Sequence, residues 1–397
     1  MLKPDSIATA VLLAALVAFG PITTDIYLPA LPGLVKTFET DASRIQLTLS
    51  IFLAGYAFAQ LLVGPLSDRF GRRPILIGGL VLYFFATLAC IFAGTIGELI
   101  TARFFQAIGA CSGAVLGRAV VRDVYGANAA KVLAYIATTM ATSLMVAPVF
   151  GGYLLKWFGW QSIFIVLVIS NFCLFVLVYR YLQETNQHKN PNAVDLVHLL
   201  MNYRELLRNR LFVGYVLTNS FSYGGIFCFI SGSSFVLIDF LGIEPTHYGL
   251  LFGCFVFGYI NGTFLVSQLT QRLGIDKLIF AGCLTAASAG ITMTVLALAG
   301  IVSVLAIIAP MYFFSLGVGL VMPNAMAGAV GPYPRMAGAA SALLGFIQMG
   351  LAAFVSFAVG LFDNATQIPM TIGITLMGLL GLISFFRLVR SEKPHAN

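Results

Sequence analysis

Charge is scarce in this chain. Only 9% of its 397 residues are Asp, Glu, Lys or Arg, and it carries only four His and two Trp. With 59% hydrophobic residues beside so few charges, it cannot hide its apolar surface inside a water-soluble globule, which excludes a soluble enzyme or a nucleic-acid-binding domain. No G-x-x-x-x-G-K-[ST] phosphate loop occurs, which removes a nucleotide-driven pump. His188, His198, His247 and His395 fall in predicted loops, tails or near span ends, so no catalytic set of a membrane enzyme is present. The six cysteines, Cys90, Cys111, Cys173, Cys228, Cys254 and Cys283, lack any C-x-x-C spacing and lie within predicted spans. They read as small apolar fillers, not disulfides or metal ligands. No metal and no cofactor is expected.

What abounds is apolar length. Stretches of about 20 residues, enough to cross a hydrocarbon core of roughly 30 Å, are drawn near 7–31, 45–66, 75–94, 99–122, 131–155, 161–183, 209–238, 246–270, 277–298, 302–328, 337–361 and 367–389. The expected fold is all-α, with twelve transmembrane helices. The first run opens Met1-Leu2-Lys3 as a signal peptide can, but eleven spans follow and no short apolar region ends in a cleavage site. With both termini placed in the cytoplasm, Lys36, Arg44 and Lys156 fall outside and Arg103 and Arg118 within the fourth span. The rest of the 22 basic residues, Lys3 and Lys393 included, fall inside. The net charge of +7 is thereby accounted for by topology and an anionic inner leaflet, with no nucleic acid as partner.

The chain repeats itself. Phe52, Gly55, Tyr56, Leu62, Val63, Leu66, Arg69 and Gly71 align at one constant offset with Phe255, Gly258, Tyr259, Leu265, Val266, Leu269, Arg272 and Gly274.

 The second copy has Gln271 where the first has Asp68, so it keeps the turn and loses the acid. The longest polar stretch, which contains Asn186, His188, Lys189 and Asn192, divides the spans six and six. The expected organisation is a six-helix domain over 1–185, a cytoplasmic linker over 186–208 and a second six-helix domain over 209–397. Two similar halves facing one another are the layout of a secondary transporter, with its substrate site near the bilayer midplane. That layout suits alternating access better than a permanent channel.

Ionisable groups inside spans are costly, about 2.5–3.5 kcal/mol each on insertion scales, and persist mainly where they face a cavity or a partner. Three stand out. Asp25 is the one acid within a span, and Arg103 lies near the start of the antiparallel fourth span, so the two can share one depth. The bland reading of Asp25 is an acid at a fraying helix end before Pro29 and Pro32. Arg118 either faces the same cavity as Arg103 or snorkels to headgroups, and the residues alone leave both open. Gly109, Gly113 and Gly117 recur every fourth residue, a seam for close helix approach.

The segment Gly64-Pro65-Leu66-Ser67-Asp68-Arg69-Phe70-Gly71-Arg72-Arg73 sets four charges and a turn between two apolar runs, as a cytoplasmic loop would. It resembles the major facilitator superfamily signature G-x-L-x-D-R-x-G-R-[RK] between helices 2 and 3. Arg103-Phe104-Phe105-Gln106-Ala107-Ile108-Gly109 is similar to the superfamily's R-x-x-Q-G-x-G pattern. Ala147-Pro148-Val149-Phe150-Gly151-Gly152 resembles the antiporter motif G-P-x-x-G-G, with Ala147 in place of the leading Gly. The runs from Thr24 to Pro32, from Arg122 to Tyr125 and from Ala337 to Phe346 look like the Bcr/CflA drug-efflux family, and the likeness covers nearly the whole chain. Most of its members export antibiotics such as bicyclomycin or chloramphenicols against protons. Others move nucleosides, amino acids or siderophores.

This resemblance implies a proton-coupled antiporter of small amphipathic drugs in the bacterial inner membrane, driven by the proton gradient and expected to be a monomer. The alternative is a carrier of a physiological metabolite. The resemblance assigns Asp25 to carry the proton and Arg103 to tune it. It also implies a conformational latch of Gly64, Asp68, Arg69, Gly71, Arg72, Arg73 and Asp123, with Arg72 pairing with Asp123. Pro148, Gly151 and Gly152 form the antiporter motif. Candidates for the cavity wall are Tyr27, Tyr56, Arg118, Tyr223, Phe227, Tyr259 and Gln348, because varied hydrophobic compounds want contact area and few directional bonds.

Overall fold

Backbone in lipid must satisfy its own hydrogen bonds, and helices do so within one segment. The computed structural model accordingly shows helices and no strand over the residues it describes, which are 7–187, 189–191 and 193–392. Lys3, His188, Asn192, Lys393 and His395 lie outside the described residues, as do both chain ends, whose sidedness the charge pattern predicts. Among the described residues, twelve helices are long and apolar enough to cross a membrane.

The chain divides into two compact units, Met1–Leu196 and Val197–Asn397, and the division falls inside the expected linker. The first unit holds α1 (Ile7–Asp25), α2 (Leu31–Thr37), α3 (Ala42–Phe70), α4 (Arg72–Ile91), α5 (Ile96–Tyr125), α6 (Ala129–Phe158) and α7 (Gln161–Tyr181). Next comes α8 (Leu196–Arg208), a helix within the stretch expected to be the cytoplasmic linker. The second unit continues with α9 (Arg210–Ser234), α10 (Pro245–Leu273), α11 (Ile275–Leu298), α12 (Val304–Val330), α13 (Ala337–Leu361) and α14 (Ile368–Ser384). Helix α9 runs on into a π-helical stretch, Phe235–Phe240, and α14 into another, Phe385–Val389.

Local chemistry sets the boundaries. Asp41 caps α3 by accepting the N–H of Arg44, and Thr95 with Glu98 forms a capping box at the start of α5. Asn209 and Ser303 cap α9 and α12 in the same way. The duplication extends to packing. In the first unit α5 packs on α1, α3 and α4, α6 and α7 pack on α1, and α7 on α4. In the second, α12 packs on α9, α10 and α11, α13 and α14 on α9, and α14 on α11. Both α3 and α10 have 29 residues and end on a glycine of positive φ, Gly71 at 111° and Gly274 at 78°.

Two expectations change. The first predicted span is not one helix: α1 stops at Asp25, a 3-10 turn covers Leu28–Ala30, and α2 resumes at Leu31. Pro29 cannot donate to a helical ladder and disfavours helical backbone at the residue before it. The charged decapeptide is not a loop either. Helix α3 runs through Asp68 and Arg69 to Phe70 and α4 begins at Arg72, which leaves Gly71 as the single hinge residue.

Candidate functional site

The break after Asp25 is buried within the first unit, with Asp25, Ile26, Tyr27 and Leu28 all inside. Asp25 is 2% exposed and its Oδ2 has no hydrogen-bond partner among the described residues. It ends α1, where a helix presents carbonyls rather than N–H groups. Gly151 of the antiporter motif lies directly behind it: a Cβ added there would stand 2.1 Å from the carbonyl oxygen of Ile26. Only glycine allows α6 to come so near the break. Three residues earlier, Pro148 removes an N–H from the ladder of α6, and Gly152 beside Gly151 is buried.

Arg103 of α5 is fully buried, and it does not form an ion pair with Asp25 among the described residues. Its guanidinium carbon sits 4.4 Å from the ring centre of Phe52, 4.7 Å from that of Tyr27 and 6.0 Å from that of Phe164. Aromatic faces thus offset part of the cost of burying the cation. Nη1 donates to Gln106 Oε1 at 2.7 Å, and Gln106 Nε2 donates to Thr87 Oγ1 at 2.9 Å. Nε and Nη2 have no partner among the described residues. The Tyr27 hydroxyl shares a 3.1 Å hydrogen bond with Thr48, and Thr23 shares one of 2.7 Å with Tyr83.

Asp68, Arg72 and Asp123, three of the residues expected to form a latch, meet at the Gly71 hinge. Arg72 Nη1 donates to Asp68 Oδ1 at 2.5 Å and to Ser67 Oγ at 2.6 Å, while its Nε donates to Asp123 Oδ2 at 3.2 Å. Arg73 donates from Nη2 to the Tyr179 carbonyl at 2.7 Å and lies over that ring. Arg69 stacks on Phe70, and Gly64 sits one turn before Asp68 in α3.

Four residues unassigned by motif complete this cluster. Glu184 accepts the backbone N–H groups of Arg72 at 2.9 Å and Arg73 at 3.2 Å, an anionic cap on the start of α4. Asn186 Nδ2 donates to the carbonyls of Ser67 at 3.3 Å and Asp68 at 3.1 Å, at the end of α3. Thr185 donates to Asp123 at 3.1 Å, and the Asn190 N–H to the Asp68 carbonyl at 3.0 Å. Their sole signal in the sequence is their polarity just beyond α7.

The expected cavity residues are scattered among different surroundings. Tyr27 is part of the Arg103 cage and Tyr56 is 6% exposed beside Gly20. Arg118 is exposed, its Nε donating to the Ala114 carbonyl at 3.0 Å. In the second unit Tyr223 and Phe227 stack with ring centres 4.9 Å apart, and Tyr259 is partly buried. Gln348 accepts a 2.9 Å bond from Asn219 Nδ2, a buried partner that the sequence did not mark. No group of residues suited to holding a metal occurs among the described residues.

Two duplicated units of six spans, each with buried polar groups, define a multi-pass membrane carrier. Residues 11–357 match the model of the Major Facilitator Superfamily, and the chain belongs to that family. It is 33% identical over 394 residues to the uncharacterized MFS-type transporter YdgK of Bacillus subtilis, covering 98% of this chain and 97% of that one. It is 27% identical over 376 residues to the bicyclomycin resistance protein homolog of Haemophilus influenzae, 92% of each chain. With multidrug resistance protein D of Escherichia coli the identity is 26% over 382 residues, 96% of this chain and 95% of the relative. Among solved structures, a D-xylose-proton symporter aligns at a TM-score of 0.76 with 16% identity, over 97% of this chain and 98% of that one. The human organic anion transporter MFSD10 (TETRAN) aligns at 0.72 with 16% identity, over 97% and 100%. These likenesses place the fold. The protein is a transporter of small molecules and not an enzyme.

Proposed function

We propose that this transporter exports small amphipathic compounds across the bacterial inner membrane in exchange for protons, working as a monomer with both termini in the cytoplasm. One observation carries the coupling: Asp25 is a buried acid with no ion-pair partner among the described residues, at a helix break against which the antiporter-motif glycine is pressed. Keeping an acid of ordinary pKa near 3.9 protonated at pH 7 costs about 4 kcal/mol, similar to the cost of burying it charged. A group so balanced can exchange its proton when its surroundings change. Relatives named for multidrug, bicyclomycin and chloramphenicol resistance support a drug as the substrate.

The driving force is adequate. One inward proton supplies about 2.3 kcal/mol per 100 mV and about 1.4 kcal/mol per pH unit. At 1.4 kcal/mol per decade, this sustains a gradient of several hundredfold for a neutral drug at one proton each. The test is transport in proteoliposomes. Addition of substrate should move protons in the direction opposite to drug, and Asp25→Asn should abolish proton-driven export while the folded protein still binds. Full active efflux by Asp25→Asn at equal protein amount would overturn the assignment.

A second reading rests on Arg118. Its exposed guanidinium offers planar donors that an acidic or strongly polar metabolite can use and a lipophilic drug cannot.

A further inference from the structure

Helix α8 leaves an apolar and cationic face uncovered. Among its described side chains Leu206 alone is fully buried, in a core cluster with Phe212, Tyr215, Ala340 and Val389, and Tyr203 packs against the same cluster. At about 100° per residue, Leu206 lies about 180° from Val197. The opposite arc carries Val197, Leu200, Met201, Arg204, Leu207 and Arg208, all exposed. Leu200 is 65% and Met201 62% exposed, large values for such side chains in a helix of 13 residues.

Location selects the occupant. Only Asn209 separates Arg208 from Arg210, the first residue of the membrane-spanning α9. The buried Leu206 shares a core cluster with Phe212 at the start of α9 and Val389 in the π-helical stretch that follows α14, so α8 is held where those spans leave the bilayer. A helix fixed there, with aliphatic side chains and arginines interleaved on one outward face, can sink the aliphatic groups to the acyl boundary while the guanidinium groups meet phosphates. Water would leave the aliphatic groups unsatisfied, and a neutral surface would leave the arginines without counter-charge.

We propose that α8 is an interfacial helix whose face of Val197, Leu200, Met201, Arg204, Leu207 and Arg208 binds an anionic lipid surface. It thereby anchors the segment that joins the two six-span units to the membrane plane. Basic residues beside a membrane span draw on the negative surface potential of the leaflet, so the anchoring strengthens with anionic lipid content.

The test uses the full chain, with the exposed Cys173 and Cys254 replaced by Ser, in vesicles of phosphatidylcholine alone or mixed equally with phosphatidylglycerol. A bimane probe is attached after Leu200→Cys on the proposed lipid face, or after Glu205→Cys on the flank. In mixed vesicles the probe at 200 should be quenched by acyl-brominated lipid and shielded several-fold from iodide relative to the probe at 205. That shielding should weaken in phosphatidylcholine alone. Arg204→Gln with Arg208→Gln should remove the difference between the two vesicle types without altering the size-exclusion profile. Equal iodide quenching at both sites in both vesicle types overturns the proposal. So does shielding at 200 that depends on protein density and comes with energy transfer between labelled copies, since a second copy would then cover the face.

Discussion

The Glu184 carboxylate accepts the backbone N–H of Arg72 at 2.9 Å across a separation of 112 residues, so the chain leaving α7 closes the hinge between α3 and α4. The Gly71 hinge is doubly constrained. Its φ of 111° suits glycine, and a Cβ there would stand 2.3 Å from Glu184 Oε2.

Glu184→Ala removes the cap and should cost about 0.5–2 kcal/mol, the usual range for a lost N-cap. Thermal unfolding in detergent should show a drop of a few degrees. Gly71→Ala should be more damaging in the wild-type background than in Glu184→Ala, because part of its cost is the clash with the carboxylate. Equal losses in both backgrounds would show that the two residues do not interact.

At the expected latch, Arg72 has three side-chain partners, whereas the Asp68 side chain is 47% exposed and its carboxylate bonds Arg72 alone among the described residues. Arg72→Lys should therefore impair transport more than Asp68→Asn, since an ammonium cannot reproduce the fork that spans Ser67, Asp68 and Asp123. An exposed ion pair contributes about 0–1 kcal/mol, so Asp68→Asn should scarcely alter unfolding. Its effect is expected in the exchange between states, read as a changed rate of cytoplasmic thiol labelling. If that rate is unchanged and transport is normal, Asp68 is no latch.

Gly151→Ala places a methyl against the Ile26 carbonyl and forces α6 away from the break beside Asp25. Proton-driven export should fall at least tenfold at unchanged expression. Gly78→Ala, where a Cβ meets nothing within 4 Å, should behave as wild type. Comparable activity of the two variants would detach the α6 contact from coupling.

Arg118→Ala separates the two proposed substrate classes. Selective loss of acidic or polar compounds, with lipophilic drugs spared, is the outcome expected if its guanidinium meets substrate. Uniform loss across a compound panel, normalised to protein, would favour plain drug efflux and refute a selectivity role.

What could be read along the chain was what local chemistry dictates. Twelve apolar runs predicted twelve spans because span length is set by bilayer thickness, and the repeated Phe52 to Gly71 pattern predicted two similar halves, whose helices pack in matching pairs. Asp25 and Arg103 were visible as costly charges. Their relation was not. The tertiary structure decided that Arg103 sits among Tyr27, Phe52 and Phe164 and bonds Gln106 rather than Asp25, because that depends on how α1, α3, α5 and α7 turn toward one another. Glu184 and Asn219 were equally invisible, as their partners Arg72 and Gln348 lie far off in sequence and meet them only after the helices pack. Periodicity reveals which face of a helix is apolar. It carries no record of which neighbour that face will meet.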